Sequence, residues 1–214
     1  MSVKNNNGKK MIKWAKDLFP INRSLTGDGN RKTLKYIKEI IPELRIIEIP
    51  SETKAFDWTV PNEWNVKDAW IKNEKGKKIC DFQKNNLHLM GDSTPIKKII
   101  SFEKLQKHLY SLPNQPNAIP YVTSYYKKNW GFCLKHNDRN KLVSGNYEVF
   151  VDSSLTSGNL TYGEVILPGK KKKEIFLSTY ICHPSLANNE LSGPVVTTAI
   201  IEFLKNLGKK REYS

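Results

Sequence analysis

The chain is short of cysteine, of acidic residues and of long apolar runs, and each shortage excludes something. Its 214 residues include three cysteines, Cys80, Cys133 and Cys182. An odd number without close pairing excludes a disulfide framework and fits a reducing compartment. No apolar run nears the roughly 20 residues that a membrane-spanning helix needs. The opening MSVKNNNGKK is polar and lacks a secretory pattern, so cytoplasmic localisation is the expectation. With 21 Asp and Glu against 35 Lys and Arg, the formal charge is +14, which would suit an anionic partner. The lysines are scattered, however. Runs such as KKKK at 170–173 read as solvated turns, so specific nucleic-acid binding is not expected.

What is present is a globular composition in three textures. With 38% hydrophobic residues the chain can bury a core, and its length suits one large domain or two small ones. Residues 11–19 place Met11, Trp14, Ala15, Leu18 and Phe19 at helical spacing. A second helix starts near Asp28 or Asn30, with Leu34, Ile37 and Ile41 on its inner face, and LRIIEIP (44–50) alternates as a strand. From 51 to 164 the texture is aromatic and turn-rich. This block reads as a mixed, mostly β module with a hairpin tip at Asn73-Glu74-Lys75-Gly76 and one helix in SFEKLQKHLYSL. Beyond it, GEVILPG and EIFLSTYI read as strands, the second apolar on both faces like a central strand. Gly193 and Pro194 then suit a helix start. Val195, Val196, Ala199, Ile200, Phe203 and Leu204 cover most of that helix's circumference, and Gly208 ends it. A central strand and an all-round buried helix need more sheet and more helices against them, so the core reads as incomplete.

The densest chemistry lies in TYICHPSLANNELSG, residues 179–193. His183 follows the expected central strand, at the sheet edge where ligands bind in open α/β folds. Imidazole is the commonest protein metal ligand; a hydrogen-bonded loop histidine is the alternative. Cys133 and His136 form half of a zinc signature without a second half. Trp58, Trp64, Trp70 and Trp130 fit either a groove or a core.

In its order of strand, His and Asn-Glu-x-Ser-Gly turn into a helix, this segment resembles the first metal-ligand segment of zinc-dependent aminopeptidases with a phosphorylase/hydrolase-like α/β fold. PINRSLTGDG (20–29), FDWTVPNEWNVKDAWI (56–71), IPYVTSYYKKNWGFCLKHN (119–137), VDSSLTSGNLTYGE (151–164) and STYICHPSLANNELSGP (178–194) resemble one branch of that clan. That branch carries a small inserted domain and a C-terminal winged helix. The resemblance implies an α/β fold: residues 1–50 and 165–214 as parts of one three-layer aminopeptidase-like domain, and 51–164 as an inserted mixed, mostly β domain.

By the same resemblance His183 is a zinc ligand, and Asn189 stands where the family has a metal-bridging Asp. With His183, Asn189 is the other metal-site residue the resemblance implies; a neutral amide cannot balance two dications, which implies a single zinc ion, or an altered or lost one. Glu190 lies beside it as a supporting carboxylate. Arg23, Ser24 and Asp28 are candidates to contact substrate near the site, with a capped interhelical turn as the alternative. The family's general base and remaining ligands lie downstream, so no catalytic residue is assigned within this chain. The expectation is the N-terminal portion of a metallohydrolase acting on a peptide or amide substrate, inactive or incomplete alone and completed by a separately encoded C-terminal half. The alternative is a non-catalytic peptide- or glycan-binding module.

Overall fold

The computed structural model describes residues 7–207 and 211–214; the expected helix stop at Gly208 lies outside the described residues. The elements begin with α1 (Asn7–Leu18), α2 (Asp28–Ile40), β1 (Arg45–Pro50), β2 (Lys54–Ala55), β3 (Trp58–Thr59), β4 (Glu63–Asn73) and β5 (Lys78–Asp81). They continue with β6 (Ile96–Ser101), α3 (Phe102–Gln106), β7 (Leu109–Tyr110), β8 (Phe132–Cys133), α4 (His136–Arg139), β9 (Asn146–Thr156), β10 (Asn159–Glu164) and α5 (Ser192–Asn206). This is a mixed α/β chain with small, open sheets. It divides into two compact units, Met1–Val60 with Asn159–Ser214, and Pro61–Gly158.

The unit limits differ from the expected 51 and 164. β10 pairs antiparallel with β1 from Arg45↔Glu164 to Pro50↔Asn159, so the returning strand belongs to the first unit. The backbone of Val60 bonds back to Glu52 and Thr53, which keeps β2 and β3 there as well.

In the second unit, β5-β4-β9-β6 form a four-stranded antiparallel sheet. Period-two alternation turns Tyr147, Val149 and Val151 of β9 to one face, where they pack with Ala69 and Ile71 of β4. Leu105, Phe132 and Leu134 complete that core. The hairpin tip forms at Asn73–Gly76: Gly76 donates its N–H to the Asn73 carbonyl at 2.8 Å and takes a φ of 73° that favours glycine. The helix expected across SFEKLQKHLYSL stops at Gln106, because Leu109 and Tyr110 instead pair in parallel with Phe132 and Cys133. Ile71 is fully buried, so Ile71→Val is expected to cost about 0.5–1.5 kcal/mol, readable as a shift in denaturant midpoint.

In the first unit, Leu34 and Ile37 of α2 pack on Leu44, with Ile46, Val165 and Ile181 against them. Gly163 on β10 permits this approach: a Cβ there would lie 2.8 Å from Leu34 Cδ2. Trp14 and Leu18 of α1 meet Pro194, Val195 and Thr198 of α5 along a shallow groove.

Two expectations fail in this unit. The strands read in GEVILPG and EIFLSTYI are absent beyond Glu164, and residues 171–180 are exposed and irregular. A strand forms only where a neighbour takes its backbone groups, and among the described residues 176–182 form no backbone–backbone hydrogen bond. The last helix starts at Ser192 rather than at Gly193-Pro194. It is buried on one side, not all round: Val196, Ile200 and Phe203 face solvent, since no described element covers that face.

Candidate metal centre

The site is made by a turn that joins the irregular segment to α5. Residues Ala187–Leu191 form a single π turn, in which the N–H groups of both Glu190 and Leu191 reach the Leu186 carbonyl, at 3.0 and 3.3 Å. Such turns are frequent at functional sites because the extra residue re-aims a side chain. Here Ala187, Asn188 and Asn189 stay on the surface while Glu190 turns inward to 0% exposure. Ser185, at a φ of 41°, donates its hydroxyl to the Phe19 carbonyl at 3.0 Å and ties the turn to the end of α1.

Three ligating atoms converge there. Cys182 Sγ lies 3.2 Å from His183 Nδ1 and 3.9 Å from Glu190 Oε1, and His183 Nδ1 faces the same carboxylate oxygen. All three lie within 4.8 Å of one another. The cysteine and carboxylate contacts hold the His183 imidazolium, raising its pKa to about 9 against the opposing effect of burial. A Cys-His-carboxylate proton relay needs the cysteine and the acid on different ring nitrogens. Both meet Nδ1 here, so the geometry has one focus rather than a chain. Glu190 Oε2 is buried without a hydrogen-bond partner, a costly state that a cation would relieve. Sulfur, nitrogen and oxygen donors around one point fit zinc.

Arg23 is the second buried charge. It is 1% exposed, and its Nη1 donates to the Leu18 carbonyl at 2.7 Å, while Nε and Nη2 have no hydrogen-bond partner. Burial lowers its pKa to about 10, opposed by attraction to Glu190 and Cys182. The other two candidates from that loop serve the turn. Ser24 hydrogen-bonds the Thr26 carbonyl, and Asn30 Nδ2 donates to the Ser24 carbonyl at 2.7 Å. Asp28 opens α2, is exposed, and pairs with Arg31 at 2.7 Å. Asn189 is exposed as well. Its Oδ1 accepts from the Tyr180 hydroxyl at 2.8 Å, and the Tyr180 ring stands edge-on to the His183 ring at 6.1 Å.

Sequence reasoning gave Cys182 no role and Glu190 only a supporting one. The available signal was the thiol adjacent to His183. Cys133 and His136 do not form a site: burial pushes the Cys133 thiol up to about 12, and His136 Nδ1 lies 3.0 Å from Ser111 Oγ. Among the described residues, Cys182, His183 and Glu190 are the one group of such side chains placed to hold a metal.

Fold and cluster together define an α/β chain with a three-donor candidate metal centre at the start of a helix. Residues 12–214 match the family described as "Domain of unknown function (DUF4910)", and the chain belongs to it. It is 48% identical over 206 residues to a Clostridium acetobutylicum protein described as a "Putative polysaccharide biosynthesis protein with aminopeptidase-like domain", covering 96% of this chain and 47% of that one. A crystal structure described as a "putative peptidase" from Clostridium acetobutylicum superposes with a TM-score of 0.93 at 47% identity, covering 97% of this chain and 50% of that chain. The chain therefore spans about half the length of the relatives it matches.

Proposed function

We propose that this chain supplies the first metal-ligating portion of an aminopeptidase-like zinc metallohydrolase acting on a peptide or amide. The observation that carries the reading is the convergence of Cys182 Sγ, His183 Nδ1 and Glu190 Oε1 on one point, beside a buried carboxylate oxygen without a partner. The relatives described as aminopeptidase-like and as a peptidase support the reaction class.

Cys182, His183 and Glu190 hold a single zinc ion, and the neutral amide at Asn189 is consistent with one ion rather than two. When bound, zinc supplies Lewis acidity toward a peptide or amide carbonyl. Glu190 carries the charge that attracts the cation, and the π turn fixes its direction. Arg23, buried within reach of its field, offsets part of that charge. A cytoplasmic setting belongs to the same proposal, since all three cysteines are free thiols. Among the described residues no helix is long and apolar enough to cross a membrane.

Zinc titration by calorimetry tests this. The wild-type chain is expected to take up one zinc per chain, and His183→Ala to weaken binding at least tenfold. Equal binding by His183→Ala would remove the metal centre and favour the non-catalytic peptide- or glycan-binding module. The 214-residue chain is expected to release no amino acids from peptides on its own, and zinc-dependent release would refute that part.

A further inference from the structure

The first unit presents apolar surface that none of its described residues covers. Val196, Ile200 and Phe203 recur at steps of three and four on one side of α5, with Leu207 just past its end, and all are exposed, Phe203 to 55%. The opposite side, with Pro194, Val195 and Thr198, is buried. A second apolar group flanks the same helix: Ile175, Phe176, Leu177 and Tyr180 are exposed, Phe176 to 87%. The segment that carries the second group touches the start of α5 and the chain's last residue. Thr179 Oγ1 fills the place a Cβ on Gly193 would take, 2.2 Å away, and Ile175 donates its N–H to the Ser214 carbonyl at 2.9 Å.

We infer that this face is the docking surface for polypeptide homologous to the half of the Clostridium acetobutylicum relative that this chain does not cover. The inference is separate from the metal-centre reading: zinc binding and docking can each fail alone. Three observations select this occupant. Residues 176–182 form no backbone–backbone hydrogen bond among the described residues, which an added strand would supply. Clusters of large exposed apolar groups mark interaction sites. The relative keeps this backbone arrangement, with a TM-score of 0.93 over 97% of this chain, while bringing as much chain again. A second copy is disfavoured by charge, because each copy carries +14 and the two would repel.

Hydrogen exchange on the 214-residue chain and on the full-length relative tests the inference. Amides of 176–180 are expected to exchange at least 100-fold faster in this chain than at the aligned positions of the full-length protein. Equal rates overturn it. Ile200→Glu with Phe203→Glu supplies a second reading. The pair should leave the melting temperature of this chain nearly unchanged, and the same change at the aligned positions should lower that of the full-length relative by several degrees. Equal effects in both proteins overturn the inference, as does sedimentation of this chain as a dimer with 176–180 protected.

Discussion

In the metal-free chain, Glu190→Leu is expected to cost about 3–5 kcal/mol, because it leaves the Arg23 guanidinium buried without its counter-charge. Both side chains are sealed from water, Arg23 at 1% and Glu190 at 0% exposure. Neither Glu190 Oε2 nor the Nε and Nη2 of Arg23 has a hydrogen-bond partner, and Glu190 is the largest opposing charge that Arg23 feels. Arg23→Met should destabilise by less, because the Glu190 carboxylate it leaves still faces His183. Arg23→Met combined with Glu190→Leu should then lose less than the sum of the two, by about 0.5–3 kcal/mol, because it removes both members of the Arg23–Glu190 pair and leaves no guanidinium without its counter-charge. Denaturant unfolding in the presence of a chelator measures all four proteins. Strictly additive losses would show that the two groups do not interact. Recovery in the double variant would separate electrostatic pairing from simple loss of packing.

The second large effect is on pH dependence, and it has opposite signs for folding and for zinc. His183 has its pKa raised from 6.5 to about 9 by Cys182 and Glu190. A raised pKa means that the folded state holds the proton more tightly. Its contribution to stability is therefore complete below pH 6.5 and is lost as pH climbs through about 9. Metal-free chain should weaken over that window, and His183→Gln should flatten the trend. Zinc must displace the same proton before Nδ1 can act as a ligand. Cys182 must also bind as its thiolate, so zinc uptake releases up to two protons, and its apparent affinity should rise at least tenfold per pH unit from pH 7 toward the His183 pKa of about 9. Calorimetry in buffers of different ionisation enthalpy counts the protons released. An affinity independent of pH across that window would show that His183 does not bind the metal.

Much of the second unit could be read from residue order. The alternation of Tyr147, Val149 and Val151 marks β9 because side chains on a strand change face at every residue. Asn73–Gly76 marks a hairpin because Gly76 sits at positive φ. In the first unit, the spacing of Leu34 and Ile37 places the inner face of α2 correctly. EIFLSTYI misled for the reason that makes apolar runs ambiguous: apolarity shows that a segment is fit for burial, and burial itself needs neighbours. The same holds for α5, whose sequence is apolar nearly all round but whose neighbours in the described structure cover one side.

The site was half legible. His183 stood out by residue type, and Glu190 was noticed only as a neighbour of Asn189. Their meeting depends on the π turn, whose extra residue sends Asn189 outward and Glu190 inward. Residue order alone, then, determined the helix faces, the strand alternation and the candidacy of His183, since these follow from local periodicity and functional-group type. Tertiary structure alone decided that Cys182, His183 and Glu190 share one focus, because convergence depends on where a turn points its side chains and what lies across from them.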